Sequence, residues 1–85
     1  MNEVQKIFNT LQKVLDSKFE VRENLVKPET TLVELGLDSL TLMEFIFEAE
    51  DTFHLRIPED KLNQDFSMVS LKDISLLILD IQSKI

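Results

Sequence analysis

Eighty-five residues, with 44% hydrophobic and 29% charged side chains, suit one small folded domain and leave no room for a second core. A single glycine and two prolines are too few turn formers for a many-stranded sandwich or barrel, so helices are expected. The formal net charge of −7 argues against nucleic acid as a partner, because phosphate binding is driven by Lys and Arg, and it is compatible with basic protein surfaces.

The segment Met1 to Lys6 has no apolar signal core. The most apolar run, Ile74 to Ile81, is interrupted by Ser75 and Asp80 and falls far short of the roughly 20 residues that span a bilayer. With no cysteine there is no disulfide framework and no thiolate metal site, which fits a reducing compartment. A cytoplasmic protein without a membrane span is expected.

Val4, Ile7, Phe8, Leu11 and Leu15 recur at helical spacing, predicting a first amphipathic helix over residues 2–17. From Lys18 to Leu37 the period is lost. Pro28, Thr30, Thr31 and Gly36 punctuate this connection, with Phe19, Val21, Leu25, Val26, Leu32 and Leu35 as apolar anchors. A loop this long inside a compact domain is usually functional.

A second helix is predicted from Asp38 or Ser39 to about Phe53, with Asp38 as its N-cap. On a helical wheel, Leu42, Phe45, Ile46, Ala49 and Phe53 share an arc of roughly 100°, the width of a core stripe. Leu40, Met43 and Phe47 form a second stripe, roughly 100–160° round from the first. Glu44, Glu48 and Asp51 flank it on one side and Glu50 on the other, and no Lys or Arg occurs between Asp38 and Phe53. A small bundle needs one buried stripe per helix. A second stripe with a carboxylate rim is what a protein-docking surface needs, apolar for affinity and charged for steering towards Arg and Lys. Leu40, Met43, Glu44, Phe47, Glu48 and Asp51 are therefore the expected partner-binding residues.

His54, the one histidine, reads as an end-of-helix residue favoured by the negative C-terminal dipole. Pro58 then opens a short helix or turn from Glu59 to about Asn63. Ser70-Leu71-Lys72-Asp73 has the form of a capping box, after which Leu71, Ile74, Leu77, Ile78 and Ile81 trace a final helix. The expected fold is all-α: a small four-helix bundle of three main helices plus a short third one. A long loop joins the first two helices within a single domain spanning residues 1–85, monomeric when free.

Ser39 stands where the loop meets the second helix. As a nucleophile it would need a base within hydrogen-bond reach, and only His54 is available, roughly four helical turns away. The carboxylates make no calcium loop, since counting from Asp38 puts Leu40 and Leu42 at oxygen positions and Met43 where glycine is required. One histidine builds no zinc site, and Glu50 and Asp51 sit on different helix faces, unlike a paired-acid hydrolase. No catalytic or metal site is expected, and the chain is not expected to be an enzyme. Ser39 is instead placed to be acted upon. A helix N-terminus offers unpaired N–H groups and positive dipole, which suit a phosphate ester.

The run from Leu35-Gly36-Leu37-Asp38-Ser39-Leu40 to Phe45, the acidic helix to Phe53, Ile57-Pro58-Glu59-Asp60 and the last apolar helix, in that order, resemble the acyl carrier protein family. The resemblance covers essentially the whole chain. It implies that a phosphopantetheinyl transferase attaches 4'-phosphopantetheine from coenzyme A to Ser39 of the Asp38-Ser39-Leu40 triplet. The arm's thiol would then hold acyl groups as thioesters. Acyl ligases, ketosynthases and other pathway enzymes with basic docking surfaces would engage the second helix in turn.

The resemblance also implies an acyl chain folding back between helices, near Ala49, Ile46 and Phe53 and opposite Leu32, Ile57, Leu62 and Ile74. Members serving fatty acid synthesis often read Leu-Gly-Ala-Asp-Ser-Leu-Asp. Here Leu37 replaces the alanine, Thr41 replaces the second aspartate, and the approach to the serine is one residue shorter. Fatty acid or specialised polyketide-type biosynthesis is thus the expected setting, and these departures point towards a polyketide-like or other specialised pathway rather than housekeeping fatty acid synthesis. Two alternatives stay open: a carrier of amino acids, peptidyl or D-alanyl, and an unmodified acidic helical interaction module.

Overall fold

The computed structural model describes residues 3–58 and 68–84, which form three helices and no strand. Helix α1 is Glu3–Phe19, α2 is Ser39–Phe53 and α3 is Leu71–Ser83. The expected short helix from Glu59, with Leu62, lies outside the described residues.

Helix α1 packs along both of the others. It buries Ile7, Phe8, Leu11, Val14 and Leu15; Val14 extends the expected stripe, and Val4 is only half-buried. The helix runs two residues past its predicted end because its last turn makes tertiary contacts. Phe19 meets Phe45 of α2 edge-on, with ring centroids 6.0 Å apart, and Lys18 reaches Glu48. Such contacts override the loss of apolar period that marks Lys18 in the sequence. Beyond Phe19 the chain turns off at Glu20, which adopts a left-handed φ of 59°.

The α1–α2 connection is more ordered than a bare loop. Two 3-10 turns, Glu23–Leu25 and Val33–Leu35, punctuate it, and Val26 and Leu32 insert into the core. Leu25, expected to be an anchor, is 66% exposed. Its turn is held instead through polar contacts, as the Gln12 side-chain amide donates to the Val26 carbonyl at 2.9 Å. Further on, the Leu32 N–H donates to the Val69 carbonyl (3.0 Å), Leu71 N–H to Thr30 (2.9 Å) and Lys72 N–H to Pro28 (2.8 Å). These bonds surround an antiparallel bridge between Thr31 and Ser70 and clip the loop to the start of α3. The long connection is thereby held at both ends before it delivers Ser39.

Helix α3 begins with the expected capping box: Asp73 N–H donates to Ser70 Oγ at 3.1 Å, and Ser70 N–H to Asp73 Oδ2 at 3.3 Å. Its buried face is Leu71, Ile74, Ser75 and Ile78, while Leu77 and Ile81 are only partly buried. Ser75 is the unexpected member. Its hydroxyl is satisfied locally by donating to the Leu71 carbonyl at 2.8 Å, so a polar side chain sits in the core without an orphaned group.

Candidate functional site

The approach to Ser39 is built by three successive backbone devices. Val33–Leu35 forms a 3-10 turn that ends on Gly36 at φ 76°, a left-handed conformation in which a side chain would be strained. Leu37 then packs against the core. Asp38 is extended (φ −76°, ψ 173°), its Oδ1 accepts from the Thr41 N–H at 2.8 Å, and its carbonyl accepts from Leu42 N–H at 2.9 Å. Asp38 is the N-cap that the sequence predicts.

Ser39 is therefore the first helical residue. It is exposed, and its hydroxyl has no hydrogen-bond partner among the described residues. The first turn of α2 carries no carboxylate of its own, and the Asp38 carboxylate is turned onto Thr41. A phosphodiester on Ser39 would meet the positive end of a four-turn helix that carries no carboxylate in its first turn. Leu40, beside it, is 72% exposed. The site fits a phosphate-linked group.

The Thr41 N–H, with the Thr41 hydroxyl adding to it, holds the Asp38 carboxyl below the ordinary aspartate range. Folding therefore favours the ionised form. Its stabilising contribution is complete above the unfolded value near 4 and fades as pH falls through the lower folded value. Glu34 behaves alike, held down by the Thr31 N–H and then by its hydroxyl. Asp38→Asn keeps a capping oxygen but cannot titrate. Urea midpoints followed from about pH 7 to about pH 3 should fall less steeply for this variant than for the wild type. Parallel curves would remove the Asp38 carboxylate from the cap.

Downstream, α2 separates its two faces as the wheel predicts. Leu42, Phe45, Ile46 and Ala49 are buried and Phe53 packs against the core from a half-buried position. Leu40 and Phe47, 58% exposed, lie outward with half-buried Met43. Glu44 and Asp51 are exposed beside them. Two carboxylates differ from the sequence reading. Glu48 is not a free rim charge, because Lys18 Nζ lies 2.9 Å from its Oε2. Glu50 turns away to accept from the Ile57 N–H at 2.7 Å, tying the segment after α2 back onto the helix. Neither contact has a signal in local spacing, since both need the tertiary fold.

His54 ends α2 through its backbone. It takes the left-handed conformation (φ 56°, ψ 47°), its N–H reaches the Asp51 carbonyl, and Leu55 N–H donates to Glu50 at 3.0 Å. That is the helix-terminating arrangement glycine usually serves. Fifteen residues, about 22 Å of helical rise, separate His54 from Ser39, so the histidine cannot serve as its base. Among the described residues no His, Asp and Glu side chains gather in a set that could hold a metal ion, and no helix is long and apolar enough to cross a membrane.

Residues 5–78 match the family described as the phosphopantetheine attachment site. The chain is also similar to two acyl carrier proteins. That of Campylobacter lari is 31% identical over 77 residues, covering 89% of this chain and 96% of its own length. That of Lactobacillus acidophilus is 34% identical over 58 residues, covering 67% of this chain and 72% of its own.

Proposed function

The chain belongs to the acyl carrier protein family, whose members bear phosphopantetheine and are not enzymes, and from that premise we propose that Ser39 is the attachment residue. One observation carries the assignment: within the matched segment, Ser39 offers an exposed hydroxyl, without a hydrogen-bond partner among the described residues, at the start of a long helix whose first turn has no carboxylate. The bound group supplies a thiol that holds acyl cargo as a thioester. The protein's own part is to present the hydroxyl and accommodate the phosphate. The Asp38 carboxylate is held on the Thr41 N–H and His54 is about 22 Å of helical rise away, so in this reading the transferase takes the Ser39 proton as the serine oxygen attacks the pyrophosphate of coenzyme A and adenosine 3',5'-bisphosphate leaves. Incubation with coenzyme A and a phosphopantetheinyl transferase, followed by peptide mapping, tests the assignment. Modification anywhere but Ser39 would overturn it.

The cargo in this proposal is an acyl group of the fatty acid or polyketide type, handled in the cytoplasm by a carrier formed from one domain. Leu37 and Thr41, where relatives serving fatty acid synthesis often carry alanine and aspartate, support a specialised pathway. The acidic flank of α2 supports acyl over aminoacyl cargo. Recovering the protein from its own cells and identifying the acyl group by mass decides between these.

Pathway enzymes and the transferase dock, in this reading, on Leu40, Met43 and Phe47 and on the carboxylates beside them. Glu44 and Asp51 are exposed and act mainly through association rate. Reversing both to lysine should slow transfer roughly tenfold at low ionic strength while leaving the fold unchanged. Added salt should slow the wild type and affect the double variant less. Superimposable salt curves would remove both carboxylates from the interface.

A further inference from the structure

The C-terminal end of α1 lies against the outward face of α2. Lys18 and Glu48 form, among the described residues, the ion pair that joins two helices, at 2.9 Å, with side chains 56% and 32% exposed. The hydrogen bond and charge of Glu48, and at longer range the charge of Asp51, raise the Lys18 pKa and keep the ammonium charged. Lys18, Phe19, Glu44, Phe47 and Glu48 together line a shallow groove of about 290 Å³. Phe47 gives this groove an exposed apolar wall, and Glu44 has no cation opposite it among the described residues.

We propose that Lys18 masks Glu48 in the free protein, and that the phosphopantetheinyl transferase displaces it by setting an arginine on Glu48 and an apolar side chain on Phe47. The proposal rests on the docking reading of α2. Charge complementarity identifies the occupant. The groove holds two carboxylates and one ammonium, so it still attracts a cation. Glu48 lies nine residues beyond Ser39, about 14 Å of helical rise, within the surface that an enzyme reaching Ser39 must cover.

Exchange of the lysine for an arginine is favourable on geometric grounds. An ammonium is a point charge, whereas a guanidinium bonds both carboxylate oxygens in one plane. An exposed lysine pair is weak and readily opened. The intramolecular lysine also confers selectivity. An apolar stripe alone would accept any hydrophobic surface, but a partner without a well-placed cation gains nothing by displacing Lys18.

The test is the rate constant for phosphopantetheine transfer to Ser39 at low ionic strength, in wild type, Lys18→Gln, Glu48→Gln and the double variant. Unmasking Glu48 should raise the rate about two- to fivefold in Lys18→Gln. Lys18→Arg, which keeps the charge and adds a planar donor pair, should mask Glu48 at least as firmly and transfer no faster than the wild type, and circular dichroism should show α1 preserved in each. In the Glu48→Gln background, Lys18→Gln should retain only the smaller effect of removing one positive charge. An equal factor in both backgrounds, or a slower rate with Glu48 present, overturns the masking. Phe47→Ala separates the two levels. If it and Glu48→Gln both leave the rate unchanged, the docking reading fails and this proposal with it. If they slow transfer while Lys18→Gln acts equally in both backgrounds, the masking alone fails.

Discussion

Replacing Ser39 with alanine should abolish attachment of phosphopantetheine while leaving the helical fold intact. Attachment requires a hydroxyl that alanine lacks. The fold does not, because the Ser39 hydroxyl makes no hydrogen bond among the described residues and its side chain is exposed. The helix start is secured by its neighbour: Asp38 still accepts from Thr41, and Leu42 still donates to the Asp38 carbonyl. Alanine is also the best helix former, so any change in stability should be within about 0.5 kcal/mol. Intact mass after treatment with coenzyme A and a transferase reads the first half of the prediction, and circular dichroism with a urea titration reads the second. A normal increment on the variant would remove Ser39 from the chemistry. A collapsed helical signal would make Ser39 a structural residue.

The positions that govern this experiment were legible in the sequence because they obey local rules. A cap such as Asp38 acts on an N–H three residues away, and the Ser70–Asp73 box likewise closes within one turn. The two faces of α2 follow from one period. What was not legible depends on residues far apart in the chain. Lys18 looks like the first residue of a loop until Glu48, thirty positions on, is brought beside it. Glu50 reads as a rim charge until Ile57 returns to it. Ser75 reads as an interruption of an apolar stripe because hydropathy does not register that its hydroxyl can bond back to Leu71. His54 reads as a helix-end residue from its position, but what ends the helix is its left-handed backbone, for which a non-glycine residue gives no local signal.

Two phenylalanines two residues apart on α2 provide the sharper test of the division between core and docking face. Phe45 is fully buried and meets Phe19 edge-on, so its ring ties α2 to α1. Truncating it to alanine leaves a cavity in a closely packed core and should cost about 3–5 kcal/mol. That is a large part of the roughly 5–15 kcal/mol that holds a small domain together. The urea midpoint should fall sharply with the slope little changed, and phosphopantetheine loading should decline only as the folded fraction declines, recovering when unfolding is suppressed. Phe47, 58% exposed, should show the reverse. Its truncation should shift stability by no more than about 0.5 kcal/mol while slowing transfer by the folded protein. A midpoint shift for Phe45→Ala as small as that for Phe47→Ala would mean that α2 is not anchored by this stripe. A loss of about 3–5 kcal/mol for Phe47→Ala as well would mean that the second stripe is also core, and the docking face would then have to be sought elsewhere on the molecule.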